Sequence, residues 1–181
     1  MDFQQLHKKV NKPLSDSEIK EYLPDAKIIT YGDLEKYESI DQLLPKEKDY
    51  VIILYEYEEN SGHWTCLLKY DNTIEFFDPL GNKDKTILGW IPFHIRKMLN
   101  EDDDFLTDLL EKAKSKYRIV VNKLKVENND AATCGRHVVF RILSFLSENE
   151  DLPEFQKQLS DLKKRFKNMN YDEIITQIIS V

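Results

Sequence analysis

The sequence contains few cysteines and no excess of positive charge. Cys66 and Cys134 are its only cysteines, which excludes a disulfide framework and predicts a reducing compartment in which a thiol stays free. Lys and Arg number 26 against 33 Asp and Glu, a formal net charge of -7. Because no basic block stands out, we expect neither nucleic acid nor an anionic membrane surface to be a main partner.

Long apolar runs, repeats and linkers are also missing. No stretch reaches the ~18 apolar residues of a membrane span. The first residues, Met1-Asp2-Phe3-Gln4-Gln5, lack the layout of a secretory signal, so we expect a protein that is not secreted. A length of 181 residues is typical of one domain with a sizeable core. We therefore expect residues 1–181 to form a single domain.

Short apolar segments alternate with helical patterns along the chain. Ser15-Asp16-Ser17-Glu18 has the form of a capping box at the start of a short helix. A polar turn is expected at 56–62, a stretch rich in α-helix from Ile87 to Leu99 with Pro92 at an early helical position, and amphipathic helices after Pro153 and near the C-terminus. Strands are predicted at Ile28–Tyr31, Tyr50–Tyr55, Trp64–Tyr70, Thr73–Phe77 and Tyr117–Val121.

Residues 64–77 predict a β-hairpin with a tight two-residue turn at 71–72. The implied register places Asp78 opposite Thr65, two residues from His63. Both the carboxylate and the imidazole then emerge at the same end of the sheet. A neighbouring carboxylate fixes the tautomer of an imidazole and stabilises its charged form, so this pair is a candidate for proton transfer.

Cys134 follows a polar loop and precedes an apolar pattern at helical spacing, so it is predicted to lie at a helix N-terminus. Unpaired N–H groups and the helix dipole favour an anion there, and thus the thiolate form of a nucleophile. Gly135, which has no Cβ, leaves room for a substrate. The alternative is a small buried Cys that only opens a core helix.

Three motifs in this order resemble the superfamily of adenovirus and SUMO proteases. They are Gly62-His63-Trp64, Phe76-Phe77-Asp78-Pro79-Leu80-Gly81 and Asp130-Ala131-Ala132-Thr133-Cys134-Gly135. The Thr-Cys-Gly-Arg-His form and the short length are most similar to the maturation proteases of virophages, Polinton-type elements and large DNA viruses. The chain order His, Asp, Cys also differs from that of papain, where Cys comes first.

The resemblance implies an α+β fold of the adenain type, related to papain-like folds, with a central mixed β-sheet flanked by helices. It assigns Cys134 as the nucleophile and His63 as its general base and later the acid for the leaving amine. Asp78 would orient His63. Trp64 resembles the aromatic residue that covers the cleft in this family, so Trp64 and Gly135 are expected to bind a substrate with small residues, such as Gly, at the cleavage site.

The family's oxyanion hole uses a Gln six or seven residues before the Cys. Those positions are Asn128 and Glu127 here. Asn128 has the required amide, one methylene shorter, and is our expected oxyanion donor, with Asn129 and Glu127 left as alternatives. Losing a donor of this kind typically costs on the order of 10²–10³ in rate.

The resemblance implies an endopeptidase that cleaves capsid or other precursor proteins during virion maturation. We expect it to work as a monomer without a cofactor, in the virion and in the host-cell cytoplasm or virus factory. Some members need a peptide or DNA activator. The acidic composition argues against DNA, and a peptide activator stays open.

Three alternatives remain. One is removal of ubiquitin or a ubiquitin-like modifier after Gly-Gly, which suits the same narrow cleft. Another is a non-catalytic protein-binding relative of the same fold. The third is a zinc-stabilised binding module, because His63-x-x-Cys66 and Cys134-x-x-His137 carry zinc-ligand types at local spacings. Residues three apart on a strand face opposite sides, which argues against the first pair.

Overall fold

The structure, a computed structural model, describes residues 2–181. Met1, the first residue of the segment on which the expectation of a non-secreted protein is based, lies outside the described residues. The chain divides into two compact units. The sheet unit comprises Ala26–Asp78 and Asn82–Asn122, and the helical unit comprises the remainder, including Pro79–Gly81 and Lys123–Val181. The expectation of a single domain stays a prediction.

The sheet unit contains a five-stranded mixed sheet, as expected of an α+β fold. Its strands follow the order β1-β2-β3-β4-β5. β1 is parallel to β2 and β4 is parallel to β5, whereas β2, β3 and β4 form an antiparallel meander. The strands are β1 Ile28–Thr30, β2 Tyr50–Glu58, β3 Ser61–Tyr70, β4 Thr73–Phe77 and β5 Arg118–Val121.

The β3–β4 hairpin has the predicted turn and register. Cys66 pairs with Phe77 at the far end of the ladder. Asp71 and Asn72 have φ values of 46° and 56°. Positive φ at both central residues is what a two-residue turn of type I′ requires, and Asp and Asn tolerate it better than most residues. β4 ends one residue before Asp78, which therefore follows directly from the ladder.

β2 and β3 are longer than predicted. They occupy most of segment 56–62, where a polar turn was expected, and leave only a tight turn at 59–60. Gly62 explains how the strands continue: a Cβ built there would lie 1.8 Å from the carbonyl oxygen of Tyr55, so only glycine allows this approach. His63 consequently lies within β3, paired with Tyr55.

Helices of the sheet unit pack around an apolar core that includes one face of the sheet. Alternate residues of β2 (Val51, Ile53 and Tyr55) enter this core because side chains alternate along a strand. The stretch predicted to be rich in α-helix at 87–99 contains two short helices, and Pro92, which lacks an N–H, separates them and is the N-cap of the second. The helices are the 3₁₀ helix Tyr31–Lys36, α3 Ile40–Leu43, α4 Asp84–Trp90, α5 Phe93–Met98 and α6 Phe105–Ala113.

The helical unit contains the remaining five helices among the described residues. They are α1 Phe3–Val10, α2 Asp16–Tyr22, α7 Cys134–Glu148, α8 Leu152–Arg165 and α9 Tyr171–Ile178. The predicted capping box at Ser15 is confirmed, since its side chain accepts from the N–H of Glu18. Within residues 2–181, no helix combines the length and apolar character needed to cross a bilayer.

Candidate active site

His63 and Asp78 form a buried hydrogen-bonded pair in the sheet unit. Nε2 of His63 lies 2.5 Å from Oδ1 of Asp78, and the two residues are 4% and 0% exposed. Contact between these side chains is the consequence of the hairpin register, so the proximity predicted from the sequence is confirmed. A carboxylate bonded to one ring nitrogen leaves the other nitrogen to exchange protons elsewhere.

Further hydrogen bonds hold Asp78 in place. Its Oδ2 accepts from the backbone N–H of Asn82 at 2.8 Å, and its carbonyl oxygen accepts from Nδ2 of Asn122 at 2.9 Å. Both carboxylate oxygens are thus bonded, which fixes the carboxylate plane and, through it, the orientation of His63. Sequence reasoning missed Asn122, because it follows β5 and only the parallel pairing of β5 with β4 brings it to Asp78.

Trp90 contacts the ring of His63 within the sheet unit. The two ring centroids lie 6.0 Å apart at an interplanar angle of 72°, an edge-to-face arrangement. Trp64 is buried and follows His63 directly in β3, so its side chain leaves the strand on the opposite face. The substrate role expected of Trp64 stays a prediction. No local pattern at Trp90 could have revealed its contact with His63.

Cys134 is the first residue of α7, as predicted. Thr133 occupies the N-cap position without a side-chain capping bond, and the first turn contains no acidic residue. The positive end of the helix dipole therefore faces the thiol without a neutralising carboxylate from the helix itself. Both Cys134 and the following Gly135 are buried.

The three candidates for the oxyanion position have different surroundings. Asn128, our expected donor, has Nδ2 bonded to Oδ2 of Asp172 at 2.6 Å. Asn129 is exposed, and its Oδ1 accepts from a lysine ammonium. Glu127 is buried, and its Oε1 accepts from the N–H of Thr133 at 2.9 Å. A carboxylate oxygen of Glu127 lies within 4.8 Å of Sγ of Cys134.

Asp172 organises the segment that leads to Cys134. This fully buried residue of α9 accepts from the backbone N–H and Nδ2 of Asn128, from Oγ1 of Thr133 and from Nε2 of His137. Burial acts to raise the pKa of Asp172, but the bonds from His137 and Thr133 outweigh it and lower the pKa. Sequence reasoning missed Asp172, since nothing in the sequence distinguishes it from an ordinary acid in the first turn of a helix.

His137 belongs to this buried network. Burial lowers its pKa, and the bond to Asp172 opposes that shift without reversing it. A neutral imidazole therefore donates from Nε2 to the carboxylate. Two observations argue against the zinc-module alternative. His137 of the second local pair is bonded to Asp172, and Cys66 of the first pair lies three residues from His63 on β3 and therefore on the other face.

Comparison with known proteins shows a similarity to a protein of a virophage. The chain is 37% identical over 169 residues to "Uncharacterized protein V9" of Sputnik virophage, with 91% of this chain and 93% of that protein covered. The chain belongs to this virophage V9 family. No protein-family model matches it.

Membership of the V9 family assigns no activity, because the Sputnik protein is uncharacterized. The side chains of this V9 relative determine what chemistry it can perform. It has an imidazole fixed by a carboxylate, which suits proton transfer, and a thiol at a helix N-terminus, which suits nucleophilic attack.

Proposed function

We propose that this V9-family protein is a cysteine endopeptidase of the adenovirus-protease type, with a fold related to papain-like folds. The observation that carries the proposal is the buried 2.5 Å hydrogen bond between His63 and Asp78, formed at the register that the two-residue turn at 71–72 predicted. Cys134, at the start of α7, supplies the nucleophile. The proposal requires the Cys134 thiol to come within reach of the His63 ring, and labelling and cleavage experiments test that requirement.

In this mechanism His63 takes the thiol proton of Cys134 and becomes the imidazolium, and the thiolate attacks the scissile carbonyl carbon. A C–S bond forms and the carbonyl π pair moves to oxygen. When the C–N bond breaks, imidazolium His63 gives its proton to the leaving amine. His63 then takes a proton from water, the resulting hydroxide attacks the thioester, and the C–S bond breaks to release the carboxylic acid and the thiolate. Asp78 keeps the ring oriented and stabilises its charged form throughout.

The substrates that we propose are capsid or other virion precursor proteins, cut after small residues such as Gly. The similarity to a protein of Sputnik virophage supports a viral setting. Cleavage would take place in the virion or the virus factory of the host cell. Asn128, Trp64 and Gly135 keep the roles proposed from the sequence, as oxyanion donor and substrate-binding residues.

The test is to incubate the purified protein with candidate virion precursors and, in parallel, with ubiquitin and ubiquitin-like precursors. We expect discrete cleavage of virion precursors that is abolished in Cys134→Ala and His63→Ala. Cys66→Ala is the matched control: it removes the other thiol and should retain activity. Cleavage of the modifiers alone would refute virion maturation, and cleavage that persists in Cys134→Ala would refute the thiol mechanism.

A further inference from the structure

Trp90 is the C-terminal residue of α4 and one of the large apolar side chains that stay exposed in the sheet unit. It is 43% exposed, whereas Trp64 is only 6% exposed. Its indole makes an edge-to-face contact with the ring of His63, with the ring centroids 6.0 Å apart and the planes at 72°.

We propose that Trp90 is a specificity-determining residue, whose indole contacts an apolar side chain of the peptide substrate next to the scissile bond. This inference rests on the proposed function, because it takes His63 as the group that exchanges protons with the substrate. It names the chemistry of one substrate position, which the proposed function leaves open.

Distance is the first argument. An atom that exchanges a proton with His63 must lie within about 3 Å of a ring nitrogen. The centroid of the Trp90 indole is 6.0 Å from that of the imidazole. Substrate atoms one or two bonds from the proton-transfer site, on the side of the imidazole that faces Trp90, come within van der Waals range of the indole.

Chemistry is the second argument. An indole offers a large, flat and rigid apolar surface, and tryptophan loses little conformational entropy when a ligand covers it. Water is displaced favourably from such a surface by an aliphatic or aromatic side chain, and much less so by a charged one. The position facing Trp90 should thus prefer residues such as Leu or Phe over Asp or Lys.

The edge-to-face contact also holds the imidazole ring, so loss of the indole has two separable effects. Loss of a substrate contact changes the selectivity between peptides. Loss of ring positioning lowers kcat for every peptide alike. Trp90→Phe keeps an aromatic ring that can still contact His63, whereas Trp90→Ala removes both the substrate contact and the contact with His63.

The experiment uses internally quenched peptides with a Gly-Gly cleavage site, in which each flanking position is in turn Ala, Leu, Phe, Asp or Lys. Wild type, Trp90→Ala and Trp90→Phe are compared with Phe93→Ala. Phe93 is the matched control, because it is an aromatic residue three positions further on that is 62% exposed. Circular dichroism and thermal melts confirm that each variant is folded.

We expect wild type to favour Leu or Phe over Asp at one position by about tenfold or more in kcat/KM, the scale on which apolar pockets discriminate. Trp90→Ala should lose that preference through KM. Trp90→Phe should keep most of it, and Phe93→Ala should match wild type. An unchanged preference in an active Trp90→Ala, or a uniform loss of kcat, would overturn the assignment of Trp90 as a specificity-determining residue. Either result would leave the proposed function standing. If wild type cleaves none of the peptides and no virion precursor, the proposed function fails and this inference fails with it.

Discussion

Replacing Asp172 by alanine removes the acceptor of four hydrogen bonds inside the helical unit. The donors that lose their acceptor belong to Asn128, Thr133 and His137. A buried polar group left without its partner costs about 1–3 kcal/mol. Water entering the new space would satisfy part of the set, so we expect the free energy of unfolding to fall by about 3–6 kcal/mol. That is a large share of the 5–15 kcal/mol of a typical domain.

Graded variants separate the hydrogen bonds from the charge and the volume. Asp172→Asn keeps the shape and one acceptor oxygen, so it should cost less than Asp172→Ala. Thr133→Val removes a single donor at similar volume and should cost about 1–2 kcal/mol. Asp161→Ala is the control, since Asp161 is half-exposed on α8 and forms an ion pair with Lys164 on the same helix. A surface change of this kind stays within about 0.5 kcal/mol.

Urea unfolding, followed by circular dichroism, measures these differences as shifts in the midpoint at constant slope. The order expected is Asp172→Ala most destabilised, then Asp172→Asn and Thr133→Val, with Asp161→Ala equal to wild type. A loss below about 1 kcal/mol in Asp172→Ala would refute the reasoning, because it would mean that the four hydrogen bonds are not what holds the approach to Cys134.

Three further predictions concern the sheet unit. Burial, with the nearby charge of Glu56, raises the pKa of Glu101 from 4.5 to about 7. The folded state then holds the proton between these pH values, so wild type loses stability as pH rises from about 4.5 to 7. In urea unfolding, the free energy of unfolding of Glu101→Gln should equal that of wild type near pH 4 and exceed it by up to about 3 kcal/mol at pH 8. A difference that stays constant across pH would contradict the raised pKa. Asp78→Asn should leave the fold intact and lower kcat/KM by about 10³–10⁴ in peptide cleavage, because His63 loses the carboxylate that sets its tautomer; a loss under tenfold would count against the pair. Gly62→Ala should lower stability by more than about 2 kcal/mol in thermal or urea unfolding, since its Cβ has no space against β2; a neutral effect would show that the strands can separate there.

Local features were predictable from the sequence because short-range chemistry determines them. The turn at Asp71 and Asn72 fixes the register of the β3–β4 hairpin, and that register brings Asp78 to His63. The start of α7 at Cys134 likewise follows from the change from a polar loop to helical periodicity. These elements determine much of the candidate site.

Contacts between distant segments were not predictable. Trp90 reaches His63, and Asp172 reaches the loop before Cys134, only through tertiary packing. Neither residue has a local sequence signature, because a Trp in a short helix and an acidic residue in the first turn of a helix are both common. The extension of β2 and β3 was not predicted, because the polar residues at 56–62 indicated a turn. Gly62 was the informative residue there, but its close approach to the neighbouring strand is seen only in the fold.

The rate at which iodoacetamide alkylates Cys134, measured by mass spectrometry across pH in wild type and in His63→Ala, tests the central claim most directly. Cys66 is an internal control, because it is 0% exposed and should stay unlabelled in the folded protein. If His63 stabilises the thiolate of Cys134, wild type should react near neutral pH at least about tenfold faster than His63→Ala. Superimposable pH profiles for the two folded proteins would contradict the account.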